Sequence, residues 1–262
     1  MSEVLSSTAI AVFAYVSIGW CISACLKRAD IVDPFWGPGF VIIVIVSVAA
    51  SITAGGSLSR PGFVLLAAVI IWGLRLGSHL LIRWWKELHE DRRYAAMRSA
   101  GSQRWWLRSL VTVFWLQGVI MWLVAFPLQF AFSGNNREFG PLFDAGVALW
   151  SIGFFFESVG DWQLTRFRAN PENSNKVLNT GLWRLTRHPN YFGDFAVWWG
   201  LFLMSVHCGA PAWTVFAPTI MSAFLMKFSG VGMLEKDITS RRPGYEEYVK
   251  ETNTFWPWLP RN

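Results

Sequence analysis

The feature that most constrains this chain is the recurrence of uncharged apolar blocks about as long as a bilayer is thick. Crossing a hydrocarbon core as a helix takes roughly 20 apolar residues. Residues 4–26 qualify without a single charge, and residues 37–54 are shorter but also uncharged. Residues 61–82 carry Arg75 and His79, residues 109–132 contain Pro127, and residues 139–160 hold Asp144 and Glu157. Residues 191–208 and 211–232 complete seven expected spans. Charged residues make up 15% of the 262-residue chain, against about 25% in soluble domains, and the deficit falls in these blocks. The expected fold class is therefore all-α, a polytopic membrane helix bundle of about seven transmembrane helices in one integral-membrane domain over residues 1–262. The first block lacks a basic n-region and is over-long for a signal peptide, so it reads as a retained helix.

The charges between the blocks set an orientation. Lys27 and Arg28 follow the first block, and Arg83, Lys86, Arg92, Arg93, Arg98, Arg104 and Arg108 lie between the third and fourth. Arg166, Arg168, Lys176, Arg184 and Arg187 follow the fifth, and Lys236, Arg241, Arg242, Lys250 and Arg261 follow the seventh. The opposite side carries only Arg60 and Arg137. By the positive-inside rule the N-terminus is outside and the C-terminus cytoplasmic. The net charge of +6 thus needs no nucleic acid to explain it, and the bilayer is the partner it implies. No obligate protein partner is evident. Seventeen tryptophans and twenty-one phenylalanines fit aromatic anchoring at the headgroups. Cys21, Cys25 and Cys208 read as small packing residues, and no CxxC or HExxH supports a metal site.

The densest polar chemistry lies in residues 181–194, GLWRLTRHPNYFGD, directly ahead of an apolar, Trp-rich run. Arg184, Arg187 and His188 there, with Arg166, Arg168 and Asn179 upstream, suit an anion, because guanidinium forks match phosphate oxygens bidentately. If the fifth helix runs past the membrane, Asp161, Thr165 and Arg168 share one face. A solvated helix end with dipole-favoured cations is the plainer account of each residue alone. Asn190 and Asp194, with Tyr191, share a helix face and could grip a carboxamide or an adenine edge, while Asn190 also suits a helix cap. No GxGxxG or Walker loop is present, so a nucleotide would be held by side chains between helices.

Other ionisable groups sit at membrane depth or beside it. Arg75 and His79, one turn apart, are functional candidates by that placement and equally a structural pair. Asp30 and Asp33 open the loop before the second block, where a cap or turn role is natural. In EDRRY (residues 90–94) a salt-bridged interfacial helix is the plain reading, yet Tyr94 could donate a proton. The tail pairs Tyr245 and Tyr248 on a short amphipathic pattern ahead of an aromatic stretch at 255–258.

Together GLWRLTRHPNYFGD-x3-WWG, DWQLTRFRANP and the tail EKDITSRRPGYEEYVKETNTFWPWLP resemble the steroid 5-alpha-reductase family. DPFWG at residues 33–37 and EDRRY point within it to a bacterial branch of membrane proteins. The superfamily also holds sterol reductases and isoprenylcysteine carboxyl methyltransferases. The resemblance implies NADPH in a cytoplasm-facing cavity and reduction of a carbon–carbon double bond conjugated to a ketone. It places Asn190, Tyr191 and Asp194 in the cofactor motif and Asp161, Arg166 and Arg168 in the polar end of the fifth helix. Glu235, Arg241, Tyr245 and Tyr248 match a tail that closes over the nucleotide, and the cofactor region covers about residues 139–262. Steroid reductases bind the carbonyl with a Gln-Glu pair in the second helix and a Tyr in the third. No Glu lies in residues 37–54, so Asp33 stands in for the Glu and His79 or Tyr94 for the Tyr. The expected function is an NADPH-dependent reductase of a steroid-like or isoprenoid lipid at the cytoplasmic face of a bacterial inner membrane. The alternatives are an S-adenosylmethionine-dependent methyltransferase of the lipid or isoprenylcysteine type and a non-catalytic lipid-binding protein.

Overall fold

The structure, a computed structural model, describes residues 1–99, 104–132, 138–228 and 243–260. Every regular element among them is helical. Ser2–Leu26, Ala29–Thr53, Arg60–Lys86, Trp105–Val124 and Pro141–Ala169 have the length and hydropathy to cross a membrane, and the chain is a polytopic helical membrane protein. The sixth expected segment is the helix Pro189–His207, whose polar opening turns (Asn190, Tyr191, Asp194) dilute its hydropathy. The seventh begins as the apolar but shorter helix Ala212–Met226, continues as a π turn to Phe228, and has its expected remainder, 229–232, outside the described residues. The chain divides into two compact units, Met1–Phe139 with Ser205–Thr214 and Gly140–Met204 with the residues from Val215 onward.

The first unit contains α1 (Ser2–Leu26), a tight 3-10 turn (Ala29–Phe35), α2 (Trp36–Thr53) and α3 (Arg60–Lys86). It continues through α4 (Arg92–Ser99), α5 (Trp105–Val124) and α6 (Phe126–Ala131). Ser59 caps α3 by accepting from the Gly62 N–H at 3.2 Å, and Pro61 occupies the first turn, where its missing N–H costs nothing. A Cβ on Gly37 would fall 2.1 Å from the Gly73 carbonyl oxygen, and one on Gly77 2.6 Å from the Pro38 ring. Helices in lipid associate through such small-residue contacts, since burial from water offers no drive there. The span expected at 109–132 is not one helix. It stops at Val124 and resumes at Phe126 because Pro127 lacks the N–H to continue the ladder. Gln129 covers the break, donating to the Trp122 carbonyl at 2.9 Å while Thr8 donates to its Oε1 at 2.6 Å.

In the second unit, α7 (Pro141–Ala169) runs well past the expected end at residue 160. Asp161, Thr165 and Arg168 therefore do share a helical face. α8 (Pro189–His207) packs antiparallel to α7 along a seam of glycines. A Cβ on Gly146 would lie 2.9 Å from the Gly200 carbonyl oxygen, and one on Gly153 2.6 Å from that of Gly193. These pairs are seven residues apart on each helix. One further step of seven is Gly160, whose Cβ would lie 3.2 Å from the Asn190 nitrogen. The seam carries the backbones into contact right up to the polar residues at the end. α9 (Phe216–Ala223) and α10 (Tyr245–Glu251) are the remaining α-helices among the described residues.

Filling the seam should be costly. Gly193→Ala places its methyl 2.3 Å from the Glu157 nitrogen and is expected to destabilise by about 1–3 kcal/mol, as overpacking does. Ala145→Leu, on an exposed position of α7, should leave the melting temperature in detergent unchanged. Equal melting of the two variants would refute the seam.

Candidate functional site

Polar side chains collect in two places, one in each unit. In the first unit the chain reverses at Lys27, the sole non-glycine residue with positive φ among those described, and enters the tight turn that carries both aspartates. Asp30 is a saturated hub. Arg28 grips it through Nε and a terminal nitrogen at 3.1 and 2.9 Å, the Trp84 indole donates at 2.9 Å and the Asp91 N–H at 3.0 Å. Arg28 also donates to the carbonyls of Glu87 and His89, and Glu90 accepts from the Ala29 N–H at 2.7 Å and pairs with Arg98. These contacts fasten the segment after α3 to the turn before α2, a long-range tether where the sequence suggested a local cap or turn role for Asp30.

Asp33 differs. Its Oδ1 accepts the Tyr94 hydroxyl at 2.8 Å, and Arg93 approaches its Oδ2 at 3.4 Å. Tyr94, on α4, is 7% exposed. Burial first, and then the neighbouring Asp33 carboxylate, push its phenol well above the ordinary tyrosine range. It is thus held protonated, as a donor. Asp91 is held below the usual carboxylate range. Burial opposes this, but hydrogen bonds and charge from Arg93 outweigh it. The structure therefore joins two of the three expected catalytic residues across 61 positions of sequence. His79 lies half-buried on α3, one turn beyond Arg75. Gln117, which sequence reasoning passed over, donates to the Tyr94 oxygen at 3.3 Å and accepts from the Trp36 indole at 2.5 Å. A lone amide in a strongly apolar span was the signal that marked it.

In the second unit Asp161 is 8% exposed and accepts from the Asn190 amide at 3.0 Å. The α8 helix opens at Pro189, so Asn190 is inside it and is not its cap. Its amide is drawn across to α7 by the close approach at Gly160. Tyr191 stacks on His188, with ring centroids 5.6 Å apart and 7° between planes, and Asp194 is half-buried one turn on. Arg166 lies over the Trp162 ring. Arg166, Arg168, Asn179 and Arg184 are all exposed, where an anion can reach them.

Arg187 requires a correction. Expected as a phosphate ligand, it is 7% exposed and clasps the tail, donating to the carbonyls of Val249 and Thr252 and to the Thr254 hydroxyl at 2.6 Å. Its own N–H donates to the Asn253 carbonyl at 2.9 Å, and Thr186 donates to the carbonyls of Thr254 and Phe255. The fork that suits a phosphate also suits a cluster of carbonyls whose helix has just ended. Tyr248 likewise turns inward, donating to the Trp183 carbonyl, and Tyr245 packs on its ring. Trp183 in turn donates to the Gly160 carbonyl, and Gln163 accepts the Leu182 N–H. The tail thus holds the segment before α8 in place. Glu235 and Arg241, expected in the tail, lie outside the described residues.

The fold defines a polytopic helical membrane protein, with a polar cluster in each of its two units. The chain belongs to the family described as "Protein of unknown function (DUF1295)", whose model matches residues 19–252 and which falls in the steroid 5-alpha-reductase superfamily. It is 26% identical over 195 residues to uncharacterized protein C594.04c of Schizosaccharomyces pombe, covering 65% of this chain and 55% of that one. It is 32% identical over 77 residues to the mouse 3-oxo-5-alpha-steroid 4-dehydrogenase 1, covering 29% and 30%. It is 26% identical over 126 residues to "Probable O-methyltransferase ustE" of Ustilaginoidea virens, covering 48% and 39%. The chain thus spans between about a third and just over half the length of these relatives. No solved structure matches it significantly.

Two outcomes test the geometry. Arg187→Ala removes charge-assisted bonds worth about 2 kcal/mol, so proteolysis within 243–260 should quicken roughly tenfold or more in detergent. Lysine at 187, with no planar fork, should not restore protection. An alanine variant as resistant as the parent would remove the clasp. Because the Tyr94 phenol is raised, its stabilising contribution is complete below the ordinary tyrosine pKa of about 10 and fades only as pH rises through the higher folded value. Phenolate absorbance titrations of the parent and Tyr94→Phe should superimpose up to about pH 11, and an extra phenolate in the parent below that point would contradict the assignment.

Proposed function

We propose that this protein is a membrane-embedded, NADPH-dependent reductase of a carbon–carbon double bond conjugated to a ketone in a hydrophobic lipid, steroid-like or isoprenoid, working at the cytoplasmic face. The observation that carries the reading is the Asp33–Tyr94 hydrogen bond of 2.8 Å, held by a buried and protonated tyrosine. A pair of this kind can bind a carbonyl oxygen and stabilise the negative charge that collects there in a transition state. Methyl transfer asks for a nucleophile and a base instead. The match to 3-oxo-5-alpha-steroid 4-dehydrogenase 1, an enzyme whose name specifies a 3-oxo steroid, supports the same direction.

The donor set of the second unit fits the cofactor. Asp161 and Asn190 present a fixed carboxylate and amide to hydroxyl and carboxamide groups, Asp194 adds a carboxylate one turn on, and Arg166, Arg168 and Arg184 supply exposed cations for phosphates. NADPH, when bound, would supply the hydride that the β-carbon takes up. The single proton between Tyr94 and Asp33 would turn from Asp33 to the carbonyl oxygen while the enolate forms, and the α-carbon would then take one proton, ultimately from water, to give the saturated ketone. Arg187 and Thr186 keep the tail seated so that the segment before α8 is rigid. The second reading, methyl transfer from S-adenosylmethionine, rests on the match to "Probable O-methyltransferase ustE".

The test is thermal unfolding in detergent with each nucleotide, followed by NADPH oxidation with cholest-4-en-3-one and progesterone as probe enones. NADPH at 100 times its dissociation constant is expected to stabilise by about 2.7 kcal/mol, and Asp161→Ala to abolish that gain. Tyr94→Phe and Asp33→Asn should keep the gain yet lose on the order of 100-fold in rate. Stabilisation by S-adenosylmethionine alone would transfer the assignment to the second reading, and stabilisation by neither would end both.

A further inference from the structure

Gln117 sits in the apolar span Trp105–Val124, where an amide must be fully partnered to be tolerated. Its two bonds fix more than its own position. The Trp36 indole nitrogen is a donor only, so the amide end 2.5 Å from it must be the carbonyl. The NH₂ end then faces Tyr94, 3.3 Å away, and donates. The Tyr94 oxygen accepts on that side, so its own hydrogen turns to Asp33 Oδ1 at 2.8 Å. Donation runs one way, from Trp36 through Gln117 and Tyr94 to Asp33. The circuit closes through the backbone, where the Trp36 N–H donates to the Asp33 carbonyl.

What aims Gln117 is a defect in its helix. Leu110–Trp115 is a π turn within α5, and one extra residue per turn rotates everything beyond it relative to everything before. Such turns recur at functional sites. Both sides are anchored to α1: before the rotation ends, the Trp115 indole donates to Ser17 at 3.1 Å, and after it Gly118 packs so closely that a Cβ would lie 3.2 Å from Val16.

We infer that Gln117 is a positioning residue for the proposed reduction: reading its orientation from Trp36, it fixes the Tyr94 oxygen so that the one proton of the Tyr94–Asp33 pair is kept at the place from which it turns to the carbonyl oxygen. This rests on the reductase reading for its catalytic meaning and on the hydrogen-bond directions alone for its geometry. Two variants separate the roles. Gln117→Glu keeps the acceptor for Trp36 and removes the donor to Tyr94 at the high-pH end of the profile, where the new carboxyl is ionised, whereas Gln117→Leu removes both at similar volume.

The measurement is kcat and KM for NADPH and cholest-4-en-3-one, with the pH profile, alongside the ¹⁹F spectrum of protein carrying 3-fluorotyrosine at position 94. Both variants are expected to lose on the order of 10- to 100-fold in kcat, with the KM for NADPH and the thermal shift by NADPH retained, the pH limb displaced and the ¹⁹F resonance moved. A glutamate variant with parental kcat and pH profile shows that Gln117 merely satisfies Trp36 and overturns the inference. So does a ¹⁹F resonance unmoved in both variants. A parent that neither binds NADPH nor reduces either probe defeats the reductase reading, and the ¹⁹F result still decides whether Gln117 sets the Tyr94 hydroxyl.

Discussion

A carboxylate carried into an apolar helix bundle persists only where donors are brought to it, and the first unit is organised by that requirement. Two aspartates three residues apart meet it differently. Asp30 takes both arms of Arg28, an indole and a backbone N–H, and in doing so ties the segment after α3 to the turn before α2. Asp33 takes a phenol and the edge of a guanidinium. Because Asp30 organises the segment from Glu87 to Asp91, α4 begins at a defined place and Tyr94 reaches Asp33. The pairing at Asp30 thus creates the pairing at Asp33.

The second unit solves a different problem, that of bringing polar groups on two long helices together without a gap. Glycines at intervals of seven along α7 and α8 let the backbones touch, and the last of these contacts delivers Asn190 to Asp161. A buried carboxylate–amide bond of this kind contributes on the order of 1.5–3 kcal/mol, but only if the helices approach closely enough to make it. The clasp from Arg187 and Thr186 to the tail then fixes the segment that leads into α8.

Much of this was legible from residue order alone. The first five apolar blocks fall on helices long and apolar enough to cross a membrane, and the polar block at 181–194 marked the end of α8 where Asp161 and Asn190 meet. The helical face of Asp161, Thr165 and Arg168 followed from spacing once α7 was granted its extra length. The direction of Arg187 was not legible, because a guanidinium seeks acceptors of any kind and its carbonyls lie more than sixty residues away. Gln117 stood out as a lone amide in an apolar span, but what it bonds to was not legible, for a related reason. Its partners come from residues 36 and 94, and the face it presents depends on a π turn that has no compositional mark. The interruption at Val124 was foreshadowed by Pro127, but where a helix resumes after a proline depends on what covers the freed carbonyls, here Gln129. Asp33 and Tyr94 were each nameable, yet only the fastening through Asp30 shows why they meet.

The clasp also has a consequence for the order of events during synthesis. Arg187 leaves the ribosome well before Thr254, 67 residues further along the chain. At about 5–20 residues per second its guanidinium waits several seconds for the carbonyls it will cap. Throughout that interval α8 can form and pack on α7, but the turn ahead of it has no lock. Maturation of this unit is consequently timed by the arrival of its tail, and a stall in translation between those two points would leave an inserted protein with an unfinished polar end.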